Sequence, residues 1–222
     1  DESDWLSVSD LMAGLMVVFL FIAIALMRNA IIERNQIKEV AIAYQENQLA
    51  IYNALNEEFS KDLKRWDATI DQESLTFIFN SPDILFKIGA IELNAQYKSL
   101  LKDFFPRYMD ALQPFKESIS EVRIEGHTSS IWNNYTSNTD AYFFNMKLSQ
   151  GRTRSVLEYI YGLDEVVAHK PWINRHIAAV GFSSSRMIVD ESGNEDRNRS
   201  RRVTFRVITN ADIKIKQILE PQ

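Results

Sequence analysis

Cysteine is absent from the 222 residues, which excludes disulfides, thiolate metal sites and a cysteine nucleophile and leaves the redox compartment open. Glycine is scarce, seven residues in all, and none forms the Gly-rich run that cradles a phosphate, so a nucleotide site is unsupported. Basic residues are in no excess. Lys and Arg number 25 against 30 Asp and Glu, a net charge of -5, and this balance gives no global reason to expect direct nucleic-acid binding. The histidines, His127, His169 and His176, lack metal-ligand spacing, and no nucleophile stands beside a base in a recognisable pattern. No metal, cofactor or catalytic residue is therefore expected. What remains is the composition of a folded protein, 45% hydrophobic and 25% charged, which argues against disorder.

The apolar residues are unevenly spread. Residues 11–27 read LMAGLMVVFLFIAIALM, uncharged throughout and just long enough to cross a bilayer core as helix. Trp5 stands where interfacial aromatics collect. A cleaved signal peptide is disfavoured, because Asp1, Glu2 and Asp4 occupy the flank that should be basic and no small-x-small site follows Ala25. A buried core helix is disfavoured too, since soluble helices are rarely apolar on every face. A single membrane span is expected. Arg28, Arg34 and Lys38 follow it, and the positive-inside rule taken alone would place the C-terminal bulk in the cytoplasm. Directly before the run stands Asp10. Ser9 and Asp10 are good helix caps, and an interfacial carboxylate can reach water. The other reading is functional: a carboxyl where water is scarce holds a proton more readily than one in water, as a proton carrier must.

Residues 28–66 contain no Pro or Gly and are predicted to continue as helix. Tyr52, Leu55, Phe59, Leu63 and Trp66 recur at helical spacing, a stripe suited either to a partner helix or to docking on the chain's own domain. Residues 74–80 alternate as a strand, Ser81, Pro82 and Asp83 turn the chain, and residues 84–88 form a short apolar run. Asn94 is placed to cap a helix running to about residue 112, with a kink or break expected at Pro106. Residues 121–125, 176–180 and 202–208 read as strands, and residues 148–161 as an amphipathic helix ending before Gly162. The arginine run Arg197, Arg199, Arg201, Arg202 and Arg206 is partly neutralised by Glu195 and Asp196 and reads as a solvated strand edge. The element order implies an α+β sandwich, helices on one face of a mixed sheet. The expected domains are a membrane helix over 1–28, a helical linker over 29–73 and the sandwich over 74–222.

Two resemblances attach to these residues. Asp10, Met12, Leu15, Met16, Phe19, Leu20 and Phe21 resemble the single transmembrane helix of MotB-type stator proteins. The family's usual Thr, three residues after the Asp, is Ala13 here. The resemblance implies that Asp10 carries protons at the interface with a MotA-like multi-helix ring protein. Further along, IEGHTS at 124–129, then Asn145, Leu148, Ser149, Arg152 and Val156, resemble the OmpA-like peptidoglycan-binding domain. Leu85, Phe86, Leu93, Gly181, Arg201, Arg202 and Val203 fit its flanking pattern. The likeness covers about residues 74–208. It implies His127, Thr128, Ser129, Asn145, Leu148, Ser149 and Arg152 as the peptidoglycan site.

Physical chemistry supports part of that set. If Leu148 and Ser149 open a helix, free backbone N–H groups there would meet an anionic ligand group, and Arg152 would offer a planar fork to a carboxylate. Read singly, Arg152 is a solvated helix charge and His127 a hydrogen-bonded strand-end residue. The family's Asp that takes a ligand ammonium is Ser129 here, a loss of countercharge worth about 1–3 kcal/mol. Asp140, in the loop expected over 130–142, is a candidate replacement. Within the class, the chain is more similar to the ZorB stators of Zorya antiphage systems than to flagellar MotB, and a passive OmpA-like tether is the alternative of a different class. The resemblance implies a homodimer with a MotA/ZorA-like ring, in the bacterial inner membrane, with the C-terminal domain in the periplasm. On orientation, the identity of that domain is set against the charge bias.

Overall fold

The computed structural model describes residues 2–80, 86 and 89–210, with side chains from residue 11 onward. The expected turn at Ser81, Pro82 and Asp83, and the apolar run that follows it apart from Phe86, lie outside the described residues. Two compact units are present, one including residues 2–45 and the other Glu46–Asn210.

The first unit is helical. Helix α1, Glu2–Phe59, runs without interruption, as expected of a stretch lacking proline. Every residue from 11 to 36 is exposed, so its apolar side chains are not buried against the other described residues. A helix this long and apolar is able to cross a membrane. Asp10 lies within α1, and its side chain is outside the described set.

The second unit takes in the last turns of α1. It continues with strands β1 (Ala68–Asp71) and β2 (Thr76–Phe79), helix α2 (Ala95–Leu112), strand β3 (Ile119–His127) and helix α3 (Asn138–Tyr161). Helix α4 (Lys170–His176), strand β4 (Ile177–Gly181), the short helix α5 (Arg197–Ser200) and strand β5 (Arg202–Thr209) complete it. The sheet order is β1-β2-β5-β3-β4; β3 and β4 are parallel and the other neighbours antiparallel. The fold is therefore the expected α+β sandwich, entered from a long helix that is apolar over its early turns.

One face of the sheet carries the core. Alternation sends Phe77, Phe79, Val122, Ile124, Val203, Phe205 and Val207 inward, against Leu101, Phe104, Phe105 and Tyr108 of α2. Phe104 sits at the centre, its ring 4.7 Å from Phe77, 5.1 Å from Phe205 and 5.2 Å from Phe59. Asn94 caps α2 by accepting from the Tyr97 N–H at 2.8 Å, as its type predicts. Pro106 does not break α2; the packed aromatic face outweighs the one helical bond that proline forgoes.

The structure departs from expectation at several places. The helix expected to reach residue 66 ends at Phe59, and a turn leads into β1, a strand that four short-alternation residues did not signal. The domain begins at Glu46, inside the stretch read as linker. The stripe on α1 docks on the chain's own domain: Leu55 and Phe59 are fully buried in the core, with Tyr52, Leu63 and Trp66 packed against it. Arg107 of α2 fixes that docking, with ion pairs to Glu58 (2.6 Å) and Asp62 (2.9 Å) and its guanidinium 4.9 Å over the Phe59 ring. The arginine run is not a strand edge: Arg197 and Arg199 lie on α5 and Arg201 caps its end, while Arg202 and Arg206 lie on β5, a central strand flanked by β2 and β3.

Phe59→Ala is expected to lower the stability of the full chain by about 3–5 kcal/mol, through lost burial and a residual cavity. Urea unfolding in detergent, followed by near-ultraviolet circular dichroism, measures it. A loss below about 1 kcal/mol, the scale of a surface substitution, would mean that the stripe is not docked.

Candidate functional site

Two glycines set the geometry of the site. Gly126 of β3 and Gly181 of β4 are register partners, and α3 passes directly over both. A β-carbon on Gly126 would lie 2.7 Å from the Ser149 carbonyl oxygen, and one on Gly181 would lie 2.6 Å from Ser149 Oγ while overlapping the Gln150 amide. Only glycine permits this approach. Ser149 then reaches across, its hydroxyl accepting from the Ser183 N–H at 3.1 Å. The next turn of α3 carries Arg152, which donates from Nε to the Ala90 carbonyl at 3.0 Å, with its guanidinium 4.7 Å over the Phe86 ring.

Between these elements lies a cleft of about 300 Å³ lined by Gly89, Thr128, Ser129, Ile131, Trp132, Asn145, Leu148, Arg152 and Arg201. Its loop is held from below: Thr128 N–H donates to the Ser183 carbonyl at 2.9 Å, and Asn145 Nδ2 donates to the Ser129 carbonyl at 3.1 Å. Thr128 Oγ1 is buried and meets no hydrogen-bond partner among the described residues, a hydroxyl that a ligand or water would satisfy. The Arg152 and Arg201 guanidinium groups and the apolar side chains of Ile131, Trp132 and Leu148 in the lining suit a ligand that carries a carboxylate on a carbon skeleton.

Thr128, Ser129, Asn145, Leu148 and Arg152, all named from sequence, thus come together in one cleft. Ser149 does not line it; it braces the helix from behind. Leu148 and Ser149 do not open a helix either. Helix α3 starts ten residues earlier, where Ser137 caps it by accepting from the Asp140 N–H. Their amides are therefore spent inside the helix and are not free to meet an anion. Asp140 is not loop but first helical turn, exposed, and its carboxylate accepts the Ser137 hydroxyl at 2.7 Å; it is not among the cleft residues. Gly89, Ile131 and Trp132 were not anticipated, and an aromatic in a polar loop was the only available signal.

His127 lies on the opposite face of the sheet. With Glu125 it forms a buried pair, 4% and 3% exposed, His127 Nε2 standing 3.4 Å from Glu125 Oε2. The Phe182 ring stacks on His127 at 5.4 Å, and the Arg186 guanidinium sits 3.8 Å over Phe182 and 3.4 Å from Glu125. Burial pushes the His127 imidazole below its ordinary value, with Arg202 and Arg186 adding to this against the opposing pull of Glu125. Burial also acts to raise the Glu125 carboxyl, but His127, Arg186 and Arg206 outweigh it and hold it below the usual range.

The OmpA family model matches residues 85–201. The Zorya protein ZorB of Escherichia coli is 54% identical over 220 residues, 99% of this chain and 94% of that protein. Among solved structures, a MotB-like protein from Desulfovibrio vulgaris is 22% identical with a TM-score of 0.50, covering 79% of this chain and 94% of its own; the likeness is one of fold.

Both buried groups are depressed, so the unfolded chain binds more protons than the folded one under acid conditions, and their contribution is lost as pH falls. His127 contributes fully above its unfolded value of about 6.5 and less below it. Thermal unfolding measured from about pH 7 to about pH 5 should show falling stability, and His127→Gln should flatten that limb. A flat profile for the unaltered chain would contradict the assignment.

Proposed function

This chain belongs to the ZorB family and to the OmpA family, and from that premise we propose that it is the peptidoglycan-anchored stator subunit of a proton-driven, MotA/MotB-like inner-membrane motor acting in antiphage defence. The observation that carries the reading is identity of 54% sustained over 99% of the chain, apolar helix included. A shared wall-binding domain alone would not require likeness across the membrane segment.

The parts have distinct work in this reading. The apolar stretch of α1 crosses the inner membrane once, and two copies pack within a ZorA-like multi-helix ring. Asp10 takes up and releases protons at that interface, each proton delivering about 2.3 kcal/mol per 100 mV of membrane potential. The domain over 46–210 lies in the periplasm and grips the wall through Thr128, Ser129, Asn145, Leu148 and Arg152. Arg152 and Arg201 hold a stem-peptide carboxylate in the cleft, and the orphaned Thr128 hydroxyl takes up a further polar group of the peptide. His127, Ser149 and Asp140 support the domain from outside the cleft. The chain transmits force and carries out no bond chemistry of its own.

Asp10→Asn separates a motor from a passive tether, because the amide keeps the shape of the carboxyl and cannot titrate. Cells carrying this variant are expected to lose phage resistance, while the chain still co-purifies with its multi-helix partner. Resistance equal to that of the unaltered chain would overturn proton carriage.

A further inference from the structure

We propose that Glu195 is a positioning residue for the cleft: its carboxylate clamps the loop bearing Ser129, Ile131 and Trp132 to the segment that leads into Arg201. This rests on the cleft being the wall-peptide site. By sequence, Glu195 is only a charge that offsets neighbouring arginines. In the structure its carboxylate is 14% exposed, and both of its oxygens are engaged by one residue 65 positions away. Oε1 accepts the Ser130 N–H at 2.8 Å and Oε2 accepts the Ser130 hydroxyl at 2.6 Å. Charge-assisted bonds of this kind, shielded from water, are the stronger class. Arg197 Nε stands 4.0 Å off, beyond hydrogen-bond reach.

Glu195 is itself firmly held. The hairpin that carries it closes through Asp190 N–H to the Asn194 carbonyl and Asp196 N–H to the Ile188 carbonyl, both 2.8 Å. The Asp196 side chain then caps α5, and Ser200 at the end of α5 accepts the Ile188 N–H at 2.9 Å. Arg201 follows directly. The clamp therefore links the two lips of the cleft. Thr128 and Ser129 are pinned by Ser183 and Asn145, and Ser130 is pinned by Glu195 alone among the contacts described. Beyond it, Ile131 and Trp132 reach the rim. Glu195 does not line the cleft, and its oxygens are already spent on Ser130, so it acts on the ligand through the loop.

The test uses the purified full chain in detergent, with two readouts: amide hydrogen exchange at Ser130 and pull-down by isolated peptidoglycan sacculi. Glu195→Ala should speed Ser130 exchange about tenfold or more, by freeing the amide to open locally, and weaken sacculus binding about tenfold. Exchange within β3 should stay unchanged. Glu195→Gln, which keeps an acceptor for the Ser130 amide, should restore both readouts. Where the alanine variant fails to fold, Ser130→Ala removes one of the two bonds and should weaken binding about threefold. Unchanged Ser130 exchange in Glu195→Ala would overturn the clamp. So would Glu195→Gln binding as poorly as Glu195→Ala, since that result would put the charge itself on the ligand. If the unaltered chain fails to bind sacculi, the reading of the cleft falls, and Ser130 exchange still decides the clamp.

Discussion

The closeness of α3 to the paired glycines Gly126 and Gly181 is the constraint on which the site depends. Because no side chain separates helix from strand there, Ser149 reaches Ser183, and Ser183 holds Thr128. The same contact fixes the rotation of α3, so that Asn145, Leu148 and Arg152, spaced three and four apart, line one cleft. A helix even one methyl group further away would lose the Ser149 bond and loosen the strand end that carries Thr128 and Ser129. The cleft is thus assembled by backbone proximity first and by side-chain chemistry second.

The aromatic core gives that arrangement its rigidity and joins it to α1. Phe104 packs on rings from β2, β5 and the last turn of α1, and Arg107 closes the junction with carboxylates from residues 58 and 62. Exposed ion pairs contribute little; here the guanidinium also covers the Phe59 ring, so packing and charge act at one place.

Residues whose role depends on local pattern were legible in the sequence. The apolar run, the Asn94 cap and the end of α3 before Gly162 follow from short-range spacing, and the five cleft residues from Thr128 to Arg152 from the resemblance to the OmpA-like domain. Features set by tertiary neighbours were not. The start of α3 at residue 138 has one local signal, the Ser137–Asp140 cap spacing inside the expected loop, and that early start removes the helix opening from Leu148. His127 falls on the far face because strand alternation places it opposite Gly126, a consequence that the motif alone obscures. Glu195 was visible as a charge but not as a clamp, since its partner lies 65 residues away.

The central claim is that the chain passes protons as part of a membrane motor. The most direct measurement is proton flux into proteoliposomes holding the full chain and the proposed ZorA-like partner, with a membrane potential imposed by potassium and valinomycin. A trapped pH dye should report potential-driven proton entry well above that of liposomes holding either protein alone. Flux no greater than in those controls, from complexes shown to be assembled, would contradict the account.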